Sequence, residues 1–150
     1  MSPILVWLRR DLRLSDHPAL SAAVESGRPV SPVVIHDASV EELGAAPKWR
    51  LGLGVDCLSR RLEKVGSRLI LRRGAALGVL KDLIAETGAD TVYWSRLYDP
   101  QAVSRDTEVK AALKAQGITA KSFGGHLMFE PWTVETKTGG FYRVYTPFWK

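Results

Sequence analysis

The stretch that decides the fold is "ILVWLRRDLRLSDHPAL", residues 4–20. Five apolar residues run directly into Arg9, Arg10, Asp11 and Arg13, and a helix start follows at Ser15-Asp16-His17-Pro18. A run this apolar reads as a strand buried on both faces, the habit of parallel sheets rather than of one-sided antiparallel ones. The charge marks where the chain leaves the core. It does not by itself reveal a ligand.

Working outward, runs of strand length alternate with stretches of helical period. "PILVWL" (3–8), "PVSPVVIH" (29–36), "SRLILRR" (67–73), "DTVYWS" (90–95) and "ITAKSF" (118–123) are expected strands, rich in β-branched, aromatic and leucine side chains. Asp16 is the expected cap of the first helix, with Pro18 in its opening turn and Leu20, Ala23 and Val24 on its inner stripe. In the second, Leu51, Val55, Leu58, Leu62 and Val65 form one apolar face. Leu80, Leu83 and Ile84 mark a third helix, and Val109, Ala112 and Leu113 a fourth. Gly27, Gly66, Gly88 and Gly117 are the expected stops.

This alternation predicts an α/β fold: a doubly wound, five-stranded, Rossmann-like parallel sheet between two helical layers. The organisation expected is one α/β domain over 1–125. A connection toward further polypeptide follows over 126–150, with a turn at Thr138-Gly139-Gly140 and a helix start at Pro147-Phe148-Trp149-Lys150.

Bulk properties narrow the function classes. A chain of 150 residues is one ordinary domain. With a single cysteine, Cys57, no internal disulfide forms, as expected of a reducing, cytoplasmic setting. No apolar run approaches the ~18 residues of a membrane span. The net charge of +5 permits a polyanionic partner without requiring one.

Several chemistries lack their motif. The loop after the first strand is "RRDLRLSD", where a dinucleotide fingerprint needs G-x-G-x-x-G. Gly52-Leu53-Gly54 lies within the second helix, either as a weak turn or as a flat surface for a ring or backbone. His17, His36 and His126 have no metal-ligand spacing, and no G-x-S-x-G follows a strand.

What remains is polar groups at the carboxyl ends of strands, where open α/β sheets bind ligands. Arg9 and Arg10 follow the first strand, His36 and Asp37 the second, and Ser95, Arg96, Tyr98 and Asp99 the fourth. Arg50 stands early in the second helix. They are the candidate lining of a pocket for a planar, partly anionic molecule, because a guanidinium both stacks on rings and pairs with anions. Arg105 and Asp106 read instead as ties between loops and helix starts.

At these residues the sequence closely resembles the DNA photolyase and cryptochrome family. Trp7, Arg9, Asp11, Leu12, Arg13, Asp16, Ala19 and Leu20 match its opening motif. "WSRLYDPQAVSRDTEV" is similar to its segment after the fourth strand, and "GGFYRVYTPFWK" to its Y-x-V-[FY]-T-P-F segment. The resemblance implies a light-harvesting antenna chromophore in this domain: a reduced folate, a deazaflavin or flavin mononucleotide (FMN). At the folate-binding Asn-Glu pair of that family this chain has Gln101 and Ala102, so Gln101 joins the candidate set. The resemblance further implies a helical domain beyond Lys150 that carries FAD, binds DNA and splits pyrimidine dimers by light-driven electron transfer. This chain alone is then not catalytic, and the whole protein is expected to be a monomer. A signalling cryptochrome shares the same first domain. A nucleotide-binding domain with this sheet would need the glycine loop that is missing.

Overall fold

The computed structural model describes residues 2–124. The expected turn at residues 138–140, the helix start at 147 and the connection over 126–150 lie outside them. Five parallel strands form one sheet: β1 (Ile4–Leu8), β2 (Val30–His36), β3 (Ile70–Arg73), β4 (Thr91–Ser95) and β5 (Thr119–Phe123). Their order is β3-β2-β1-β4-β5. The chain winds outward from β1 to β3, then crosses back to lay β4 on the other side of β1. The strand direction of winding reverses between β1 and β4, which makes that gap the switch point.

Both faces are covered, as the apolarity of β1 requires. All five of its residues are buried. Leu5 and Trp7 face a layer made by α4 (Ala76–Thr87) and α5 (Pro100–Ala115), with Val33, Ile35, Leu80, Trp94 and Leu113 around them. Ile4, Val6 and Leu8 face α1 (Pro18–Glu25) and α3 (Ala45–Lys64), through Ala23, Leu58 and Leu62. Trp7 and Trp94 are register partners on β1 and β4 and meet edge to face, with ring centroids 5.7 Å apart.

The helix ends correct the sequence reading in three places. His17, not Asp16, caps α1: its backbone is extended and its Nδ1 accepts from Leu20 N–H at 3.1 Å. Asp16 stands one residue too early, with a left-handed φ of 49°. Its carbonyl instead accepts from the Arg13 guanidinium at 3.0 Å. Val24 is 61% exposed, because α1 turns its two alanines, Ala19 and Ala23, into the core and so sits close on the sheet. Val65 falls beyond the end of α3 and is also exposed.

One helix was not expected. The single turn α2 (Ala38–Glu41) follows β2, capped by Asp37, whose Oδ1 accepts from Ser39 N–H at 3.0 Å. The paired glycines of α3 differ in role. A Cβ on Gly54 would stand 3.1 Å from Leu12 Cδ1, so this glycine lets the β1–α1 loop lie against the helix. A Cβ on Gly52 would meet nothing within 4 Å.

Candidate functional site: a hollow at the switch point

Strand parity builds the site. Side chains alternate across a sheet, so Trp7 and Arg9 point to the α4/α5 side, as do Ile35 and Asp37. Beyond the carboxyl ends of β1, β2 and β4 they border a hollow of about 450 Å³. That volume falls in the range of sites for small heterocycles. Trp7, Ile35, Ala76, Leu97 and Val109 give it apolar walls. Arg9, Arg10, Asp37, Asp99, Gln101 and Arg105 supply the polar groups.

The arginines are held by carboxylates. Arg9 Nη1 donates to both oxygens of Asp106 at 2.6 Å, and its Nη2 donates to the carbonyl of Ser95. Burial lowers the Arg9 pKa from its ordinary value, while Asp106 acts in the opposite direction. Arg105 Nη1 meets Asp37 Oδ2 at 3.0 Å and donates to Ser39 Oγ at 3.3 Å. Arg10 meets Asp99 at 3.2 Å in the open, where the pair adds little stability. The guanidinium carbons of Arg9 and Arg105 stand 4.5 and 5.4 Å from the centroid of the Trp7 ring. Each is within cation–π range.

On the other side of β1 lies a second polar group with no hollow. His17 Nε2 and Asp11 Oδ2 are 2.6 Å apart, and both side chains are buried. Because Nδ1 accepts from Leu20, the ring's proton belongs on Nε2, the nitrogen that faces the carboxylate. Burial pushes the Asp11 pKa up. The hydrogen bonds from His17, Arg9 N–H and Ser95 outweigh it and hold the carboxyl well below the usual range.

This sheet order, this hollow and this loop chemistry come with a decisive match: residues 4–150 fit the DNA photolyase family. The chain belongs to that family. A deoxyribodipyrimidine photo-lyase of Agrobacterium fabrum is 52% identical over 149 residues, which cover 99% of this chain and 31% of that protein. The crystal structure of a bacterial class III photolyase from Agrobacterium tumefaciens is similar with a TM-score of 0.94 and 53% identity, covering 99% of this chain and 31% of that one. Cryptochrome-1 of Arabidopsis thaliana is 36% identical over 150 residues, 97% of this chain and 22% of that protein. This photolyase-family chain thus spans less than a third of the length of these relatives.

Five of the ten candidate residues border the hollow: Arg9, Arg10, Asp37, Asp99 and Gln101. Five do not. His36 turns to α2 instead, where its Nε2 pairs with Glu41 at 2.9 Å. Ser95 has the opposite parity to Trp94; its side chain is buried and its carbonyl accepts from Arg9. Arg96 turns over β5, with Nε donating to Ser122 Oγ at 3.2 Å. Arg50 is exposed on α3, while its neighbour Leu51 borders the hollow. Tyr98 is half-buried between Leu97 and Asp99 without bordering it.

Two further residues border the hollow. Trp7 shares the parity of Arg9, which places it at the floor. Arg105 is the tie expected of it, through Asp37 and Asp106, and lines the hollow as well. Its spacing of four from Gln101 and from Val109 puts all three on one face of α5.

Proposed function

We propose that this chain is the antenna-chromophore domain of a photolyase, passing excitation to FAD in a helical domain of the same protein. The whole protein then repairs pyrimidine dimers in DNA as a carbon–carbon lyase, acting as a cytoplasmic monomer. One observation carries the reading: a chain of the DNA photolyase family keeps an open, apolar-floored hollow of about 450 Å³ at its switch point. A sheet that served only as scaffold would gain stability by filling that space with side chains.

The residues suit a ring. Trp7 offers an aromatic floor, Gln101 an amide with both donor and acceptor, and Arg10 a movable cation at the mouth. Arg9 and Asp106 tie β1 to α5 and hold the walls in place. Arg105, fixed by Asp37, presents the flat face of its guanidinium near Trp7. Such preset walls orient a chromophore, and orientation governs transfer of excitation.

The chain fits the reducing cytoplasm in one further respect: Cys57 is free and exposed. No helix among the described residues is long and apolar enough to cross a membrane.

The test is a spectrum and a repair assay on the full-length protein. A flavin band with a second near-ultraviolet or blue band, and light-driven loss of pyrimidine dimers from DNA, are expected. A full-length protein that binds FAD, carries no second chromophore and gains none on reconstitution overturns the antenna reading. Blue-light photochemistry without dimer repair moves the protein to the signalling cryptochromes.

A further inference from the structure

We propose that the outer face of α3 is a contact for the DNA backbone, a second hold on the duplex that reads neither sequence nor lesion. The proposal rests on the repair reading above and gives it a surface in this domain.

Helix α3 has two unlike sides. Leu58 and Leu62 are buried against the sheet, with Val55 packed beside them. On the far side Trp49 and Leu53, one turn apart, are 69% and 46% exposed. Helical period places Arg60 and Lys64 on the same side, with Arg50 and Arg61 alongside. Every one of these side chains is exposed. The result is one face that carries an indole, a leucine and a row of cations along the length of the helix.

The cations of this row are held differently from those of the hollow. Arg9, Arg10 and Arg105 each have a carboxylate. On α3, Arg60 pairs with Asp56 at 2.9 Å, in the open. Among the described residues Arg50, Arg61 and Lys64 pair with no carboxylate. Helix electrostatics accounts for part of the row. Arg61 and Lys64 lie in the last turn, where a cation offsets the helix dipole. Arg50 gains nothing of that kind: it stands in the second turn, and no acidic residue occupies the first. Nor does folding account for Trp49, which contributes little to the core at such exposure. Tryptophan and arginine are the residues that concentrate where partners bind.

The partner that fits is a phosphate backbone. A guanidinium meets phosphate oxygens with two N–H groups at once, and an exposed indole packs on sugar or base. From Arg50 to Lys64 the helix runs roughly 21 Å. A duplex presents roughly a dozen phosphates over that length. Contacts of this kind position a protein on DNA and carry no sequence information. The chain's net charge of +5 points the same way, and DNA is the polyanion that the repair reading already brings to this protein.

The test is binding of the full-length protein to duplex DNA, with and without a pyrimidine dimer, over a range of salt. The variant Arg50→Gln/Arg61→Gln/Lys64→Gln alters exposed side chains only. Its affinity for undamaged duplex is expected to fall about tenfold, with a slope of log affinity against log salt shallower by about two. Affinity for dimer-bearing DNA should fall by the same factor, so that preference for the lesion is unchanged. Arg50→Lys/Arg61→Lys keeps the charge and should keep most of the affinity. DNA should also shield Trp49 from acrylamide, read as the difference from Trp49→Phe. Affinity and slope unaltered in the triple variant overturn the proposal and leave the repair reading standing. So does a Trp49 shielded before DNA is added, which assigns the face to other polypeptide, and so does a variant that changes self-association instead of DNA binding. Absence of dimer repair by the unaltered protein overturns the repair reading itself.

Discussion

Two clusters of charge flank the carboxyl end of β1, and they behave differently. On the α1 side, Asp11 and His17 lie 2.6 Å apart with both side chains essentially out of solvent. On the α4/α5 side, Arg9, Arg105, Asp37 and Asp106 are just as fully paired but stand around open space. The first is a knot: His17 caps α1 with one ring nitrogen and holds Asp11 with the other, while Asp11 accepts from Arg9 N–H at 2.9 Å. The second is a wall. Carboxylates anchor both clusters, to a histidine in one and to arginines in the other, and only the second adjoins a hollow.

The sharpest way to break this comparison is Asp11→Ala. It leaves the His17 Nε2–H and the Arg9 N–H without their acceptor in a buried place. A loss of about 3 kcal/mol of unfolding free energy is expected in denaturant titrations. If that variant keeps its stability and loses its chromophore, the knot belongs to the recognition wall. Its pH dependence follows from the lowered Asp11 pKa. The carboxylate's contribution is complete above the unfolded-chain value of about 3.9 and fades as pH falls from there toward the lower native value. The stability gap between the unaltered protein and Asp11→Asn should therefore narrow below about pH 4.

His17→Asn separates the two duties of one side chain. The shorter amide keeps an acceptor for the first turn of α1 but does not reach Asp11. A loss of about 2 kcal/mol is expected, most of it from the broken Asp11 contact rather than the cap. Retained stability would assign the whole effect to capping.

Arg105→Gln probes the wall. It removes the Asp37 pair and the cation near Trp7, and the expected result is about tenfold weaker chromophore retention in the full-length protein. Its stability should fall by about 1 kcal/mol, less than in Asp11→Ala, because the glutamine amide keeps a donor and Asp37 keeps its bonds from Ser39. A large loss of stability with retention unaltered would make this cluster a second knot.

The smallest effect belongs to the α3 glycines. Gly52→Ala should stabilise by up to about 1 kcal/mol, because nothing meets the added methyl. Gly54→Ala should gain clearly less, since Leu12 must shift to admit it. Equal gains in thermal melts would mean that the β1–α1 loop does not need that close approach.

The strands were legible because their signal is local. Apolar runs of strand length, separated by helical stretches that end in glycine, placed all five strands within three residues at each end. Helix α2 was missed because one capped turn has no period to read. The cap of α1 was misplaced because Ser15, Asp16 and His17 are adjacent polar candidates, and backbone dihedrals alone choose among them.

For the hollow, sequence pointed to its place at the switch point and to Arg9, Arg10, Asp37, Asp99 and Gln101 along its border, but not to the rest of its lining. Position after a strand says that a side chain stands near the switch point. It does not say on which face. His36 was drawn to Glu41 of α2, Ser95 is buried within the fold, and Arg96 was drawn to β5 by Ser122. Arg105 came into the wall from a helix turn 68 residues away in sequence from its partner Asp37.

The sequence by itself determined the winding, the two-sided burial of β1 and membership of the family, because these rest on hydrophobic period and motif order along the chain. Tertiary structure alone decided which charges pair with which, and that a hollow survives beside Trp7. Those depend on distances between residues remote in sequence, and no local pattern encodes them.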